Sequence, residues 1–131
     1  MKPKSIVSIV LRLVAAFIML QTLYFKFTGQ PESVYIFSQV GIEPWGRIAT
    51  GAAELVASIL LLVPGTIVVG ALLAIGIMLG AVATHLFILG IEVQGDGGQL
   101  FIYGLIVLIA SVAVVAIHYQ QLLEYKAKFV K

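Results

Sequence analysis

Residues Trp45–Val63 read WGRIATGAAELVASILLLV, mostly aliphatic or small side chains with Glu54 in the middle. At about 1.5 Å per residue such a run crosses a hydrocarbon core of about 30 Å as a helix. A carboxylate at that depth costs about 3 kcal/mol on insertion scales, so it must face inward and be paired. Three further apolar stretches complete the pattern, and the search for that partner organises them. The expected fold is all-α, a single integral membrane domain. It is a four-transmembrane-helix up-down bundle, with spans over about residues 5–27, 45–63, 66–89 and 100–118.

Composition agrees. Of the 131 residues, 61% are hydrophobic and 11% charged, against about 25% charged in a soluble domain. The mean hydropathy is +1.12. A net charge of +2 is too small to point to nucleic acid, and the basic residues gather at the ends, where a membrane surface explains them. The chain has no cysteine, which excludes disulfides, thiolate metal sites and C-x-x-C redox chemistry. Any redox role would therefore need a bound cofactor or a partner subunit.

The first stretch follows Lys2-Pro3-Lys4. It outruns a signal-peptide core, contains Arg12 and ends in aromatics, so it reads as a span. In the loop over residues 28–46, Pro31 suits a helix start and Gly41 a helix end. Val34, Phe37 and Val40 recur every third residue, which predicts a short interfacial helix over 31–40. Its plain reading is a cap over the bundle. Pro44 and Trp45 open the second span, and Pro64-Gly65 turns into the third. Gly76, Gly80 and Thr84 recur at four-residue spacing, which predicts close approach of a neighbouring backbone. The loop over residues 90–99 reads as an Asp-Gly turn, and an amphipathic tail follows the fourth span.

Four spans put both ends on one side. Lys2, Lys4, Lys126, Lys128 and Lys131 make that side cytoplasmic, with Glu32, Glu43, Glu92 and Asp96 opposite.

On the first helix Ser5, Ser8, Arg12, Met19 and Lys26 share a stripe, and on the second Arg47, Thr50, Gly51, Glu54 and Ser58 do. Arg12 lies about 10 Å above the cytoplasmic end and Glu54 about 13 Å. That offset is within reach of an arginine, so an Arg12–Glu54 pair is expected. Its plain alternative is an ion pair that only fixes register. A second polar group is expected near the outer face: Lys26, Arg47, His85 and Tyr103, with Thr50 on the same side of its helix. Lys26 and Arg47 can also simply snorkel to headgroups. Gln21 falls off the stripe, and His118 reads as a surface residue. The two histidines lie at opposite depths, so no metal or haem site is expected. No serine, histidine and carboxylate meet at one depth as a triad.

Arg12, the Phe25-Lys26-Phe27-x-Gly29 ending, Glu54 followed by Leu60-Leu61-Leu62-x-Pro64-Gly65, and the run from Ile77-Met78-Leu79 to His85 resemble the DoxX family over about residues 5–120. MauE-type membrane proteins are similar. The resemblance implies a small four-helix protein of the bacterial inner membrane. Some members are subunits of thiosulfate:quinone oxidoreductase or associate with redox enzymes. By position, Arg12, Lys26 and Glu54 match the family's polar positions. Three functions compete. The first is an auxiliary subunit of a membrane redox system, contacting quinone through Lys26, His85 and Tyr103. The second is a scaffold for partner proteins or a homo-oligomer. The third is a proton or solute conduit along Arg47–Thr50–Glu54–Ser58. No self-contained catalytic constellation is present, so enzymatic activity would be at most that of an oxidoreductase subunit.

Overall fold

The structure is a computed structural model that describes residues 2–130. Six α-helices account for most of it: α1 (Pro3–Phe27), α2 (Pro31–Val40), α3 (Trp45–Leu62), α4 (Ile67–Thr84), α5 (Gln99–Ile117) and α6 (Tyr119–Val130). A 3-10 turn at Pro64–Thr66 precedes α4, and a π-turn at His85–Leu89 follows it. No strand occurs among the described residues. Four segments are long and apolar enough to cross a membrane: Pro3–Phe27, Trp45–Leu62, Pro64–Leu89 and Gln99–Ile117. They match the expected spans to within two residues at each end.

The four long helices form a ring in which α1 packs on α3, α3 on α4, α4 on α5, and α5 back on α1. Small residues line the seams. The fully buried layer is Ala15, Met19, Ala57, Leu61, Ala71, Ala74, Val107 and Val114, as expected where lipid supplies no hydrophobic drive and close backbone approach must hold the helices together. The outward faces are large and apolar, with Phe17 and Ile109 each 67% exposed. In water such faces would be an aggregation hazard; against lipid tails they are at rest.

Chain direction defines two ends. The terminal end carries the start of α1, the α3–α4 turn and α6. The far end carries α2, the start of α3, the π-turn and the start of α5. Helix α2 has Pro31 in its first turn and Gly41 as a left-handed C-cap, φ 88°, as the loop sequence predicts. At the terminal end, Gln121 of α6 clamps the α3–α4 turn. Its Nε2 donates to the Pro64 carbonyl (3.0 Å), and its Oε1 accepts from the Val68 N–H (2.9 Å). Lys131 lies outside the described residues, as do the side chains of Lys126 and Lys128.

The glycines of α4 divide sharply. A Cβ at Gly70 would lie 2.6 Å from the Leu61 backbone nitrogen, so α3 and α4 touch there. A Cβ at Gly76 or Gly80 would meet nothing within 4 Å. The expected close approach at Gly76, Gly80 and Thr84 is therefore corrected. That face borders open space, because α4 meets its neighbours one half-turn away and nearer its N-terminus. We expect Gly70→Ala to cost about 1–3 kcal/mol through overpacking. Gly76→Ala should be neutral or stabilising by up to about 1 kcal/mol through helix propensity. Thermal unfolding of the two variants in one detergent distinguishes them.

Candidate functional site: a cavity floored by an ion pair

The open space beside Gly76 and Gly80 belongs to a cavity of ≈ 710 Å³ in the far half of the bundle. Glu54 stands at its floor, about 14 Å below Trp45 at helical rise. Ile18, Ile77 and Met78 supply apolar wall. Glu32, Ser33, Ile36, Phe37 and Val40 of α2 lie across it, so the short helix is a roof over the cavity.

Glu54 is 3% exposed, and its partner is Lys26, with Nζ 2.8 Å from Oε1. Lys26 Nζ also donates to Thr22 Oγ1 (3.2 Å), whose own proton goes to the Met19 carbonyl (2.8 Å). The expected Arg12–Glu54 pair is absent, and helix direction explains why. Side chains tilt toward the N-terminus of their own helix. Arg12 on α1 therefore slants to the terminal end, whereas Glu54 on the antiparallel α3 slants to the far end. Lys26 slants down from the end of α1 and meets Glu54 coming up. Arg12 instead donates from its η1 nitrogen to the Leu61 carbonyl (3.0 Å) and from Nε to Ser8 Oγ (3.2 Å).

Ser8 Oγ in turn lies 2.6 Å from His118 Nε2. His118 is therefore a partner of α1 rather than the surface residue expected. The third member of this group is a guanidinium, not a carboxylate, and Ser8 is 1% exposed. The arrangement ties α1 to α5 and lacks the access and the acid of a hydrolytic triad.

Arg47 is also redirected. Its Nε donates to both Glu43 oxygens (2.8 and 3.1 Å), and its η1 nitrogen donates to the Lys26 carbonyl. It is buried against the Gly29 turn and closes the C-terminal end of α1. It does not line the cavity. Thr50, Lys26, His85 and Tyr103 do, so four of the five candidate ligand-binding residues share one space.

His85 opens the π-turn and is buried against Phe101, ring centroids 5.6 Å apart. Its Nδ1 lies 3.0 Å from the Gly90 carbonyl. A carbonyl only accepts, so Nδ1 carries the proton that joins it to Gly90. Tyr103 accepts from Gln99 Nε2 (2.8 Å) and retains its own proton to donate. Residues the sequence reading passed over also reach the cavity: Gln21, Glu32, Thr84 and Gln99. Gln21 lies off the Arg12 stripe and still reaches the cavity, as Met19 and Lys26 on the stripe do. Among the described residues no group of His, Asp and Glu is placed to hold a metal ion.

Asp96 holds the turn that leads into α5, whose first residues Gln99 and Leu100 line the cavity. Its Oδ1 accepts from the Val93 and Gly98 N–H groups (3.0 and 2.8 Å), and its Oδ2 accepts from Leu100 (3.3 Å). Partial burial alone would raise its pKa, but these N–H donors, with the nearby His85 ring, hold the carboxyl below its ordinary value of 3.8.

These features define a class, a four-span membrane bundle with a cavity in one half and an ion pair at its floor. Residues 10–114 match the model of the DoxX-like family, and the chain belongs to that family. The matched segment contains Arg12, Lys26, Glu54, His85 and Tyr103 and ends before His118. No curated protein and no solved structure matches the chain.

Two outcomes are expected. Lys26→Met strands a buried carboxylate and should cost about 3–5 kcal/mol, while Lys26→Met/Glu54→Leu should recover most of it. Thermal unfolding of both variants in detergent reads the difference. Because the Asp96 pKa is lowered on folding, its contribution is complete above 3.8 and is lost as pH falls through the lower folded value. Asp96→Ala should therefore lower stability by about 1 kcal/mol at neutral pH. It should also flatten the acid limb of a pH–stability curve.

Proposed function

We propose that this DoxX-like protein binds a lipid-soluble small molecule of the quinone class and serves as an auxiliary subunit of a membrane redox system. One observation carries the reading. An apolar-walled cavity gathers Lys26, Glu54, Thr50, His85 and Tyr103, four of which the residue pattern alone had grouped. Apolar walls with a few convergent polar groups are the usual form of a small-molecule site, and ≈ 710 Å³ falls in the range of about 300–1,000 Å³ typical of such sites. The absence of cysteine fits a protein whose redox chemistry is supplied by a ligand or a partner. The lysines at both ends support placement in a bacterial inner membrane with both termini cytoplasmic.

Packing argues against a conduit. Beneath Glu54, toward the terminal end, Ala57, Leu61, Val68, Ala71 and Val114 have no exposed surface. Ser58, next on the proposed stripe, gives its proton to the Glu54 main-chain carbonyl (2.8 Å).

Mass spectrometry of gently extracted protein tests the proposal by reporting lipid-soluble cofactors and co-purifying subunits together. Bound quinone is expected, with occupancy reduced several-fold in His85→Ala and Tyr103→Phe, each of which removes a cavity hydrogen-bonding group. Extracts that carry partner proteins but no quinone, with both variants unaltered, would instead support a scaffold.

A further inference from the structure

The floor of the cavity offers a donor and an acceptor side by side, and neither is saturated. A carboxylate has about four acceptor sites and an ammonium three donors. Glu54 Oε1 is buried and its close partner is the Lys26 ammonium, 2.8 Å away, which leaves acceptor positions of the carboxylate unused. Lys26 also donates to Thr22, whose own proton goes to Met19, so one of the three ammonium donors is left over. Both groups are held by the helices, and both line the cavity.

Complementarity to such a floor is selective. A carbonyl or ether oxygen only accepts, so it can use Lys26 but sets a lone pair against Glu54. An ammonium group only donates, and brings a charge that a neutral ion pair does not need. A carboxylate would be repelled by Glu54. A hydroxyl does both, giving its proton to Glu54 and accepting from Lys26. We infer that the cavity recognises a neutral, largely apolar ligand through a hydroxyl group, a phenol or quinol, with Glu54 as acceptor and Lys26 as donor. This rests on the cavity being a ligand site, as proposed above, and adds which functional group it selects. For a redox pair it means that the reduced, hydroxyl-bearing form is held in preference to the oxidised one.

The hydroxyl also repairs the floor. A site whose buried polar groups are built to hydrogen-bond a hydroxyl rejects the analogue that leaves them unpaired. Selectivity is therefore set by Glu54, while the apolar walls and roof bind both forms alike.

Equilibrium binding of duroquinol, duroquinone and the dimethyl ether of duroquinol, measured anaerobically on the full chain in lipid nanodiscs, tests this. Duroquinol is expected to bind at least about tenfold more tightly than the other two, the effect of one charge-assisted hydrogen bond. In Glu54→Gln the preference should shrink to within about threefold, as the bond loses its charge, while duroquinone affinity is retained. Equal or tighter binding of duroquinone by the unaltered protein overturns the hydroxyl inference and leaves the ligand-site reading standing. Binding of none of the three to monodisperse, folded protein overturns the ligand-site reading itself. The comparison of three ligands on the unaltered chain decides the matter even where Glu54→Gln does not fold.

Discussion

Antiparallel helices aim their side chains in opposite directions, and most of this molecule follows from that. On α1 every side chain slants toward the terminal end, and on α3 toward the far end. Lys26 and Glu54 therefore converge, and Arg12 and Glu54 diverge. The same rule sends Arg12 to the carbonyl of Leu61, at the end of α3. Arg47 makes the reciprocal contact from α3 to the carbonyl of Lys26, at the end of α1. Each arginine thus closes the C-terminus of the other helix. A cation there is favoured by the helix dipole, and lipid would leave those carbonyls without partners. The two arginines are consumed by the framework, which leaves Lys26 and Glu54 facing the cavity.

The cavity itself is a consequence of where α4 is small. Gly70 brings α4 against α3 near the terminal end, and Ala71 and Ala74 continue the seam. Beyond Met78, which is still buried, Gly80 borders empty volume. The bundle is sealed in its lower half and open in its upper half, with α2 laid across the opening. Any occupant of the upper half meets Glu54 at its deepest point and cannot pass further without parting the sealed layer beneath.

The fold was legible because its signals are long-range averages over a span, apolar length above all, with Pro and Gly at the turns of α2 and α3. The grouping of Lys26, His85 and Tyr103 was legible too, because depth along a helix can be counted. Pairing was not. Arg12 and Glu54 share a helical stripe orientation and nearly a depth, and only the direction of the Cβ vectors separates them. That direction was available from the up-down topology and would have exchanged Arg12 for Lys26. The meaning of Gly76 and Gly80 was hidden for a different reason. A small-residue stripe looks the same in sequence whether a backbone or a void lies against it. His118 was misplaced because its partner, Ser8, is 110 positions away, and nothing local signals such a contact.

A buried ion pair adds little net stability over a well-packed apolar substitute, because desolvation offsets most of the attraction. Arg12 and Arg47 escape that argument, since each also satisfies a helix terminus. Lys26 and Glu54 satisfy no helix end, and the sealed layer beneath them packs without polar help. An apolar pair at positions 26 and 54 would have closed the floor at lower cost. What such a pair could not do is present a donor and an acceptor together, at no net charge, to whatever occupies the cavity. The energetics of the pair therefore point to its occupant rather than to the fold.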